Sequence, residues 1–255
     1  MRNLVFDLDG TLVFKGQPLS ASIATALRHA KKEGLNVVFA TARPLRDTLP
    51  LLPTDLQNGF IIGCNGAMIS RYGKVQSANR FETRQIRALI QWLQDAEIPY
   101  LIDSQDDYAI SSVPHPFHEF VNALGSAPKP LECILQVGIT KLLILDKSLR
   151  AKIEAEAEQM LDSFQIYEHV SDDSFDMVPE ACNKLTALEA AGIQMAETAC
   201  FGNDHNDIAM LEAAASAVVV GDQLHFSAPC LRVSENDMQT RLDDLISTLV
   251  TAPSF

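Results

Sequence analysis

Asp7-Leu8-Asp9-Gly10-Thr11 follows directly on the apolar run Leu4-Val5-Phe6. A hydrophobic strand that ends in a carboxylate, with a second carboxylate two residues on and then a Gly-Thr turn, adds little to a core. It suits phosphoryl transfer. A carboxylate can act as a covalent nucleophile through an aspartyl-phosphate, and a second one can protonate a leaving oxygen. Gly10 lets the backbone approach a metal or phosphate closely. Asp-Gly is also a common turn pair, so the motif takes its meaning from what else reaches the same place.

The elements that must position these residues alternate. Ala21 to Lys32 puts Ile23, Leu27 and Ala30 on one helical face, with Gly34 ending it. Residues 35–40 read as a second buried strand ending at Thr41, and Phe60-Ile61-Ile62 as a third, followed by Asn65-Gly66-Ala67. Met68 to Gln76 reads as a hairpin turning at Tyr72-Gly73. From about residue 183 the alternation resumes: helix 184–191, strand 198–201, helix 207–215, strand 217–220 and a terminal helix 237–250. Such β-helix-β order implies a parallel sheet with helices on both faces.

Between these stretches the pattern changes. An amphipathic helix over 83–96 carries Ile86, Leu89, Ile90 and Leu93 on one side. Strands at 100–102, 108–110, 141–145, 165–170 and 175–178 and helices near 117–124 and 149–161 follow. The reading is an α/β chain: a Rossmann-like, doubly wound parallel core (1–80 and 181–255) interrupted by an inserted α+β module (81–180). No repeats, low-complexity segments or long linkers stand out.

In a parallel sheet the strand ends lie on one edge, where ligands collect. Asp7 with Asp9, Thr41, Asn65 and the run Gly202-Asn203-Asp204-His205-Asn206-Asp207 all fall there, and Lys184 opens a helix just before the last of these strands. Taken singly, Thr41 is a helix cap, Lys184 a solvated residue and the Asn/Asp run an acidic turn. Their shared edge is what makes them a candidate site.

At these positions the chain resembles the haloacid dehalogenase superfamily, specifically the Cof-type phosphatases with a large (C2-type) cap between the second and third motifs. Asp7 to Thr11 resembles motif one, Phe39-Ala40-Thr41-Ala42-Arg43 motif two, Lys184 within Asn183-Lys184-Leu185-Thr186 motif three, and Gly202 to Asp207 with Ile208-Ala209-Met210-Leu211 motif four. The Asn65-Gly66-Ala67 turn is characteristic of the same group. The resemblance covers the whole chain and implies a Mg2+-dependent phosphatase acting on small phosphorylated metabolites, sugar phosphates or phosphorylated cofactors. It makes Asp7 the nucleophile and Asp9 the acid and base. Thr41, Lys184, the amide of Leu8, Asn65 and Asn206 would hold the phosphoryl group. Asp7, the carbonyl of Asp9, Asn203 and Asp207 would hold the metal. A phosphomutase would share these residues, and a receiver-like signalling module also clusters Asp, Thr and Lys.

The family pattern Gly-Asp-x-x-Asn-Asp is here Gly202-Asn203-Asp204-His205-Asn206-Asp207, so Asn203 stands where the metal-ligating Asp is usual. An amide carbonyl can bind Mg2+ but brings no charge, which leaves Asp204 or Asp207 to compensate. Ala42 replaces the common Gly after Thr41. His115 and His118 read as surface residues, His205 as solvent-exposed or cap-facing, Trp92 as packing, and Arg43 as a contact to substrate or cap or as a structural salt bridge.

The bulk properties agree with an enzyme of small molecules. Across 255 residues the chain is 47% hydrophobic with a net charge of −13, which disfavours nucleic acid as a partner. No run approaches the roughly 18 apolar residues that read as a membrane span, and no secretory leader pattern opens the chain. Cys64, Cys133, Cys182, Cys200 and Cys230 are odd in number without CxxC spacing, which points to reduced thiols and a cytoplasmic setting. A monomer or weak homodimer is expected.

Overall fold

The computed structural model describes residues 1–168, 173–180 and 182–251. The chain divides into two compact units, one made of Met1–Gln76 with Asn183–Phe255 and one of Ser77–Cys182.

The first unit is built on a sheet of eight strands. Its central strand, Asn3–Phe6, lies parallel to Asn36–Ala40 on one side and to Thr198–Gly202 on the other. Phe60–Gly63 continues the parallel array beyond the former, and Ser216–Val220 and Leu231–Val233 continue it beyond the latter. Met68–Arg71 then turns back antiparallel, with Lys74–Ala78 at the edge. Leu4, Val5 and Phe6 are all fully buried, as a strand covered on both faces requires. Strand order therefore reverses at Asn3–Phe6, and the crevice beyond its carboxyl end is where an open α/β sheet binds ligands.

Local chemistry accounts for the element ends. Ser20 caps the helix Ala21–Lys32 by accepting from the Ile23 amide, and the helix buries Ile23, Leu27 and Ala30. Tyr72 and Gly73, at φ 54° and 67°, form the tight hairpin turn that the sequence marks. The terminal helix begins at Glu235, two residues before the sequence-predicted start, because Ser234 and Asp237 cap each other's amides. The last motif opens with a 3-10 turn, His205–Asp207, and becomes α-helical only over Ile208–Ala213.

The second unit holds a five-stranded antiparallel sheet, in the order Tyr108–Ile110, Tyr100–Asp103, Lys141–Ile144, Phe175–Pro179, Phe164–Glu168. One face presents Tyr100, Ile102, Leu142, Ile144, Phe175 and Met177 to Ile86, Leu89, Ile90 and Leu93 of helix Thr83–Asp95 and to Ile153 and Ala157 of helix Arg150–Met160. This is the period-2 face meeting the period-3.6 stripe. On the opposite face of the sheet Lys141 lies buried between Asp103 (3.5 Å) and Asp176 (3.3 Å). His169 and Val170, the end of the sequence-predicted strand 165–170, lie outside the described residues.

Among the described residues, the short helices Leu45–Thr48 and Leu131–Val137 and the edge strand Leu231–Val233 escape the sequence reading. One reading is corrected. His118 is buried, not on the surface, and its Nε2 meets the Tyr100 carbonyl at 3.0 Å, with burial pushing its pKa down. His115 is half-buried and caps helix Pro116–Asn122 through Nδ1. His205 is exposed, and Trp92 packs against the core of the second unit.

Candidate active site

The central strand delivers Asp7 at its carboxyl end, and the Asp7 amide still donates to the carbonyl of Phe201 at 2.9 Å. The chain then closes on itself. The carbonyl of Leu8 accepts from the amides of Thr11, Leu12 and Val13, and Gly10 adopts φ 80°. A Cβ at Gly10 would overlap the side-chain amide of Asn203, so only glycine fits this approach. The turn aims Asp7 inward, 5% exposed, and Asp9 outward.

Lys184 ties Asp7 to the last motif. Its Nζ lies 2.6 Å from Asp7 Oδ1 and 2.6 Å from Asp207 Oδ1, and it is 1% exposed. The helix that carries it, Lys184–Ala190, opens with a reciprocal cap between Asn183 and Thr186. The Asn65-Gly66 turn packs against that cap: Gly66, at φ 99°, sits where a Cβ would run into the Asn183 backbone. Cys64 and Asn65 also have positive φ, 50° and 53°, a strained pair held by hydrogen bonds that their backbone N–H groups donate to the carbonyls of Arg43 and Thr41. Asn65 Oδ1 accepts from Asn206 Nδ2 at 2.9 Å, joining this turn to the last motif.

Asp207 is fully buried and uses both oxygens. Oδ1 faces Lys184, and Oδ2 accepts from the amides of Asn203 (2.9 Å) and Asp204 (3.1 Å). It therefore shapes the loop and anchors the lysine. Asp204 accepts from the His205 amide. Asn203 is the residue that reaches the Asp7 side. Thr11 Oγ1 donates to Asn203 Oδ1 at 2.9 Å, and the same end of that amide lies 2.9 Å from Asp9 O and 3.2 Å from Asp7 Oδ2.

Thr41 is buried, its amide donating to Ile62 O and its Oγ1 accepting from the Arg43 amide at 3.1 Å. Arg43 then grips Asp9 with two bonds, Nε to Oδ2 at 2.6 Å and Nη2 to Oδ1 at 2.8 Å. Of the two roles the sequence left open for Arg43, the structure shows the salt bridge. Thr11, Asn183 and Gly66 lie within the motifs quoted from the sequence, but their supporting contacts come from the structure.

The electrostatics follow from burial. Desolvation, opposed by Lys184 but reinforced by Asp207 and Asp9, raises the Asp7 carboxyl from its ordinary value to about 7. Burial acts to lower the pKa of Lys184, but Asp207 and Asp7 outweigh it and hold the ammonium charged well above the usual lysine range. Burial, with the Asp207 charge adding, pushes the Cys200 thiol up, which suits a packing role. Asp7, Asp9, Asn203, Lys184 and Asp207 thus form a continuous network at one strand end. Thr41, Asn65 and Asn206 are fixed at the adjoining turns. Among the described residues no three His, Cys, Asp or Glu side chains cluster as a metal cage, and none of the helices is long and apolar enough to cross a membrane.

Comparison with known proteins agrees with this geometry. A family model described as haloacid dehalogenase-like hydrolase matches residues 4–225. The chain is 26% identical over 232 residues to an HMP-PP phosphatase of Cronobacter sakazakii, covering 86% of this chain and 84% of that protein. It is 25% identical to an HMP-PP phosphatase of Yersinia pseudotuberculosis, covering 88% and 85%. Among solved structures, a haloacid dehalogenase-like hydrolase from Bacteroides thetaiotaomicron shares the fold with a TM-score of 0.79 at 20% identity, over 96% of this chain and 98% of that one. A HAD subclass IIB sugar phosphatase does so with a TM-score of 0.75 at 19% identity, over 98% and 100%. With a doubly wound core, an inserted α+β unit and an Asp7–Lys184–Asp207 network at the switch point of the sheet, the chain belongs to the haloacid dehalogenase-like hydrolases and is an enzyme of the Cof-type phosphatase group.

Proposed function

We propose that this enzyme is a Mg2+-dependent phosphatase of small phosphorylated metabolites, working through a phospho-aspartate on Asp7. The observation that carries the reading is the division of labour on one buried carboxylate. Lys184 holds Asp7 Oδ1, while Oδ2 lies 3.2 Å from the side-chain amide of Asn203. A carboxylate fixed in this way has one oxygen anchored and presents the other in a defined direction, which favours in-line attack on phosphorus.

The donors available fit a hard cation. Asp7 Oδ2, the Asp9 carbonyl and the Asn203 amide oxygen would hold Mg2+, which commonly takes one or two carboxylates and completes its shell with water and substrate phosphate. When bound, the ion neutralises charge on the nucleophile and the phosphate and so lowers their repulsion. Lys184 shares that task from the opposite side of Asp7 and adds charge-assisted donors for the phosphoryl oxygens. The Leu8 amide, Thr41, Asn65 and Asn206 complete the phosphate-binding set, and Asp207 serves by keeping Lys184 in place.

Asp9 would protonate the leaving oxygen and then take a proton from the attacking water. Both of its oxygens are held by Arg43, so one of those two bonds must open when Asp9 reaches the substrate. The substrate class proposed is sugar phosphates and phosphorylated cofactors, with HMP-PP, the compound named for the relatives, included. Inorganic phosphate release from a panel of such compounds, with and without Mg2+, tests the proposal. Mg2+-dependent release that Asp7→Asn abolishes supports it. Phosphoryl transfer to a second hydroxyl without phosphate release favours a mutase, and a phospho-aspartate that persists for many minutes with Mg2+ favours a signalling module.

A further inference from the structure

The inserted unit ends at Cys182 and the core resumes at Asn183, so a single peptide group joins them immediately before Lys184. Each side of that peptide is held within its own unit. Its carbonyl lies 2.9 Å from Tyr167 Oη, and its N–H donates to Thr186 Oγ1 at 3.3 Å. We propose that Tyr167 is a positioning residue for Lys184: through the Cys182 carbonyl it fixes the peptide plane from which the Lys184 helix starts.

Tyr167 has a firm base, on a strand, Phe164–Glu168, that pairs along its length with Phe175–Pro179. Its Oη also lies 2.6 Å from Gln165 Oε1. A carbonyl can only accept, whereas the Gln165 amide can offer either end, so the single phenolic proton goes to Cys182 O. Cys182 is fully buried, its N–H on the Pro179 carbonyl and its Sγ accepting from Asn79 Nδ2, both at 3.3 Å. Those two bonds hold the residue but leave the plane of the next peptide free to turn; the bond from Tyr167 stops that turn. On the other side, Asn183 Oδ1 accepts from the Thr186 amide at 2.8 Å and Asn183 O from the Ala187 amide at 3.2 Å, with Gly66 packed against the Asn183 backbone. A peptide group is planar, so rotating this one pulls the Asn183 N–H off Thr186 and tilts the first turn of the helix. Lys184 stands in that turn. Its Nζ is confined between Asp7 and Asp207 oxygens at 2.6 Å each, with 1% of the residue exposed, which leaves little slack to absorb a tilt. For a group placed this closely, a displacement of about 1 Å costs about 10²-fold in rate.

The inference rests on the phosphatase reading of Lys184, and its test includes a readout that needs no turnover. Tyr167→Phe removes one oxygen and keeps the ring. On a phosphate compound that wild type hydrolyses, its kcat is expected to fall about tenfold with KM within about threefold, because Lys184 is misplaced and not lost. Thr186→Val frees the other end of the same peptide, so the double variant should fall no more than about twofold below the worse single one. Hydrogen exchange followed by mass spectrometry should show the amides of residues 183–187 exchanging at least about fivefold faster in Tyr167→Phe, with the ladder 164–168 and 175–179 as slow as in wild type. That slow ladder also shows the variant to be folded. An unchanged kcat, a loss confined to KM, fully multiplicative losses in the double variant, unchanged exchange at 183–187, or faster exchange along the ladder overturns the inference and leaves the phosphatase reading intact. A wild-type protein that releases phosphate from no compound removes that reading instead, while the exchange rates at 183–187 still decide whether Tyr167 governs the start of the Lys184 helix.

Discussion

Replacing Lys184 with methionine isolates the energetics of the site. The ammonium sits 2.6 Å from an oxygen of Asp7 and 2.6 Å from one of Asp207, in a position closed to water. At an effective dielectric constant of about 20, each contact is worth about 6 kcal/mol of Coulomb attraction before desolvation is charged against it. The net quantity is smaller, because burying all three groups costs several kcal/mol per ion. Removing the cation alone keeps that cost and loses the attraction, so Lys184→Met is expected to destabilise the core by about 3–5 kcal/mol. Adding Asp207→Asn should restore about 1–3 kcal/mol, since it removes one of two uncompensated carboxylates while an amide oxygen can still accept from the Asn203 and Asp204 amides. Equilibrium urea unfolding in EDTA, followed by circular dichroism, measures this. The single tryptophan, Trp92, reports the inserted unit separately by fluorescence. A Lys184→Met protein within about 1 kcal/mol of wild type, or an Asp207→Asn effect equal in both backgrounds, would refute the reasoning.

Three further outcomes follow from particular contacts. Arg43→Ala frees Asp9 from its bidentate partner and should lower kcat while leaving KM within a few-fold, as steady-state kinetics would show; a selective rise in KM would instead make Arg43 a substrate contact. Gly66→Ala forces an L-residue to φ 99° and against the Asn183 backbone, and should cost more than the roughly 1–3 kcal/mol of the backbone strain alone, with loss of turnover as Lys184 shifts; a variant of normal stability by urea titration would contradict the packing. On the surface, the hydrogen bond from Asp243 and its charge raise the His29 pKa. A raised histidine contributes stability below its unfolded value that is lost as pH rises through the folded one. The His29 ring signals in NMR should therefore titrate at lower pH in Asp243→Asn, and an unchanged midpoint would remove the pair from the account.

The core was legible because its chemistry coincides with its architecture. Unbroken apolar runs such as Leu4 to Phe6 mark strands buried on both faces, and the polar residue after each run marks the binding edge. Lys184 was legible from its place behind Asn183, although nothing in the sequence says that this helix start is wedged by Gly66. The direction of Asp207 was not legible. A 3-10 turn capped by Asp204 rotates it toward Lys184 and its own loop amides, and motif spacing does not encode that rotation. Helix Leu131–Val137 has seven residues, too few for a periodic stripe to separate it from a strand or loop. Edge strand Leu231–Val233 exposes two of its three residues and so lacks the apolar run of its neighbours. His118 sits in a Pro-punctuated stretch that reads as surface, yet a backbone carbonyl satisfies its ring and allows it to be buried.

The central claim is that Asp7 carries the phosphoryl group and Asp9 moves the protons. Asp9→Asn should slow loss of the group from Asp7 more than its formation. Acid quench within the first turnover on an active phosphate compound, followed by peptide mass spectrometry, should then find a phosphoryl adduct on Asp7 of the variant, and none in an Asp7→Asn protein. An Asp9→Asn protein that turns over normally, or one that is inactive with no adduct on Asp7 at any time, would contradict the account.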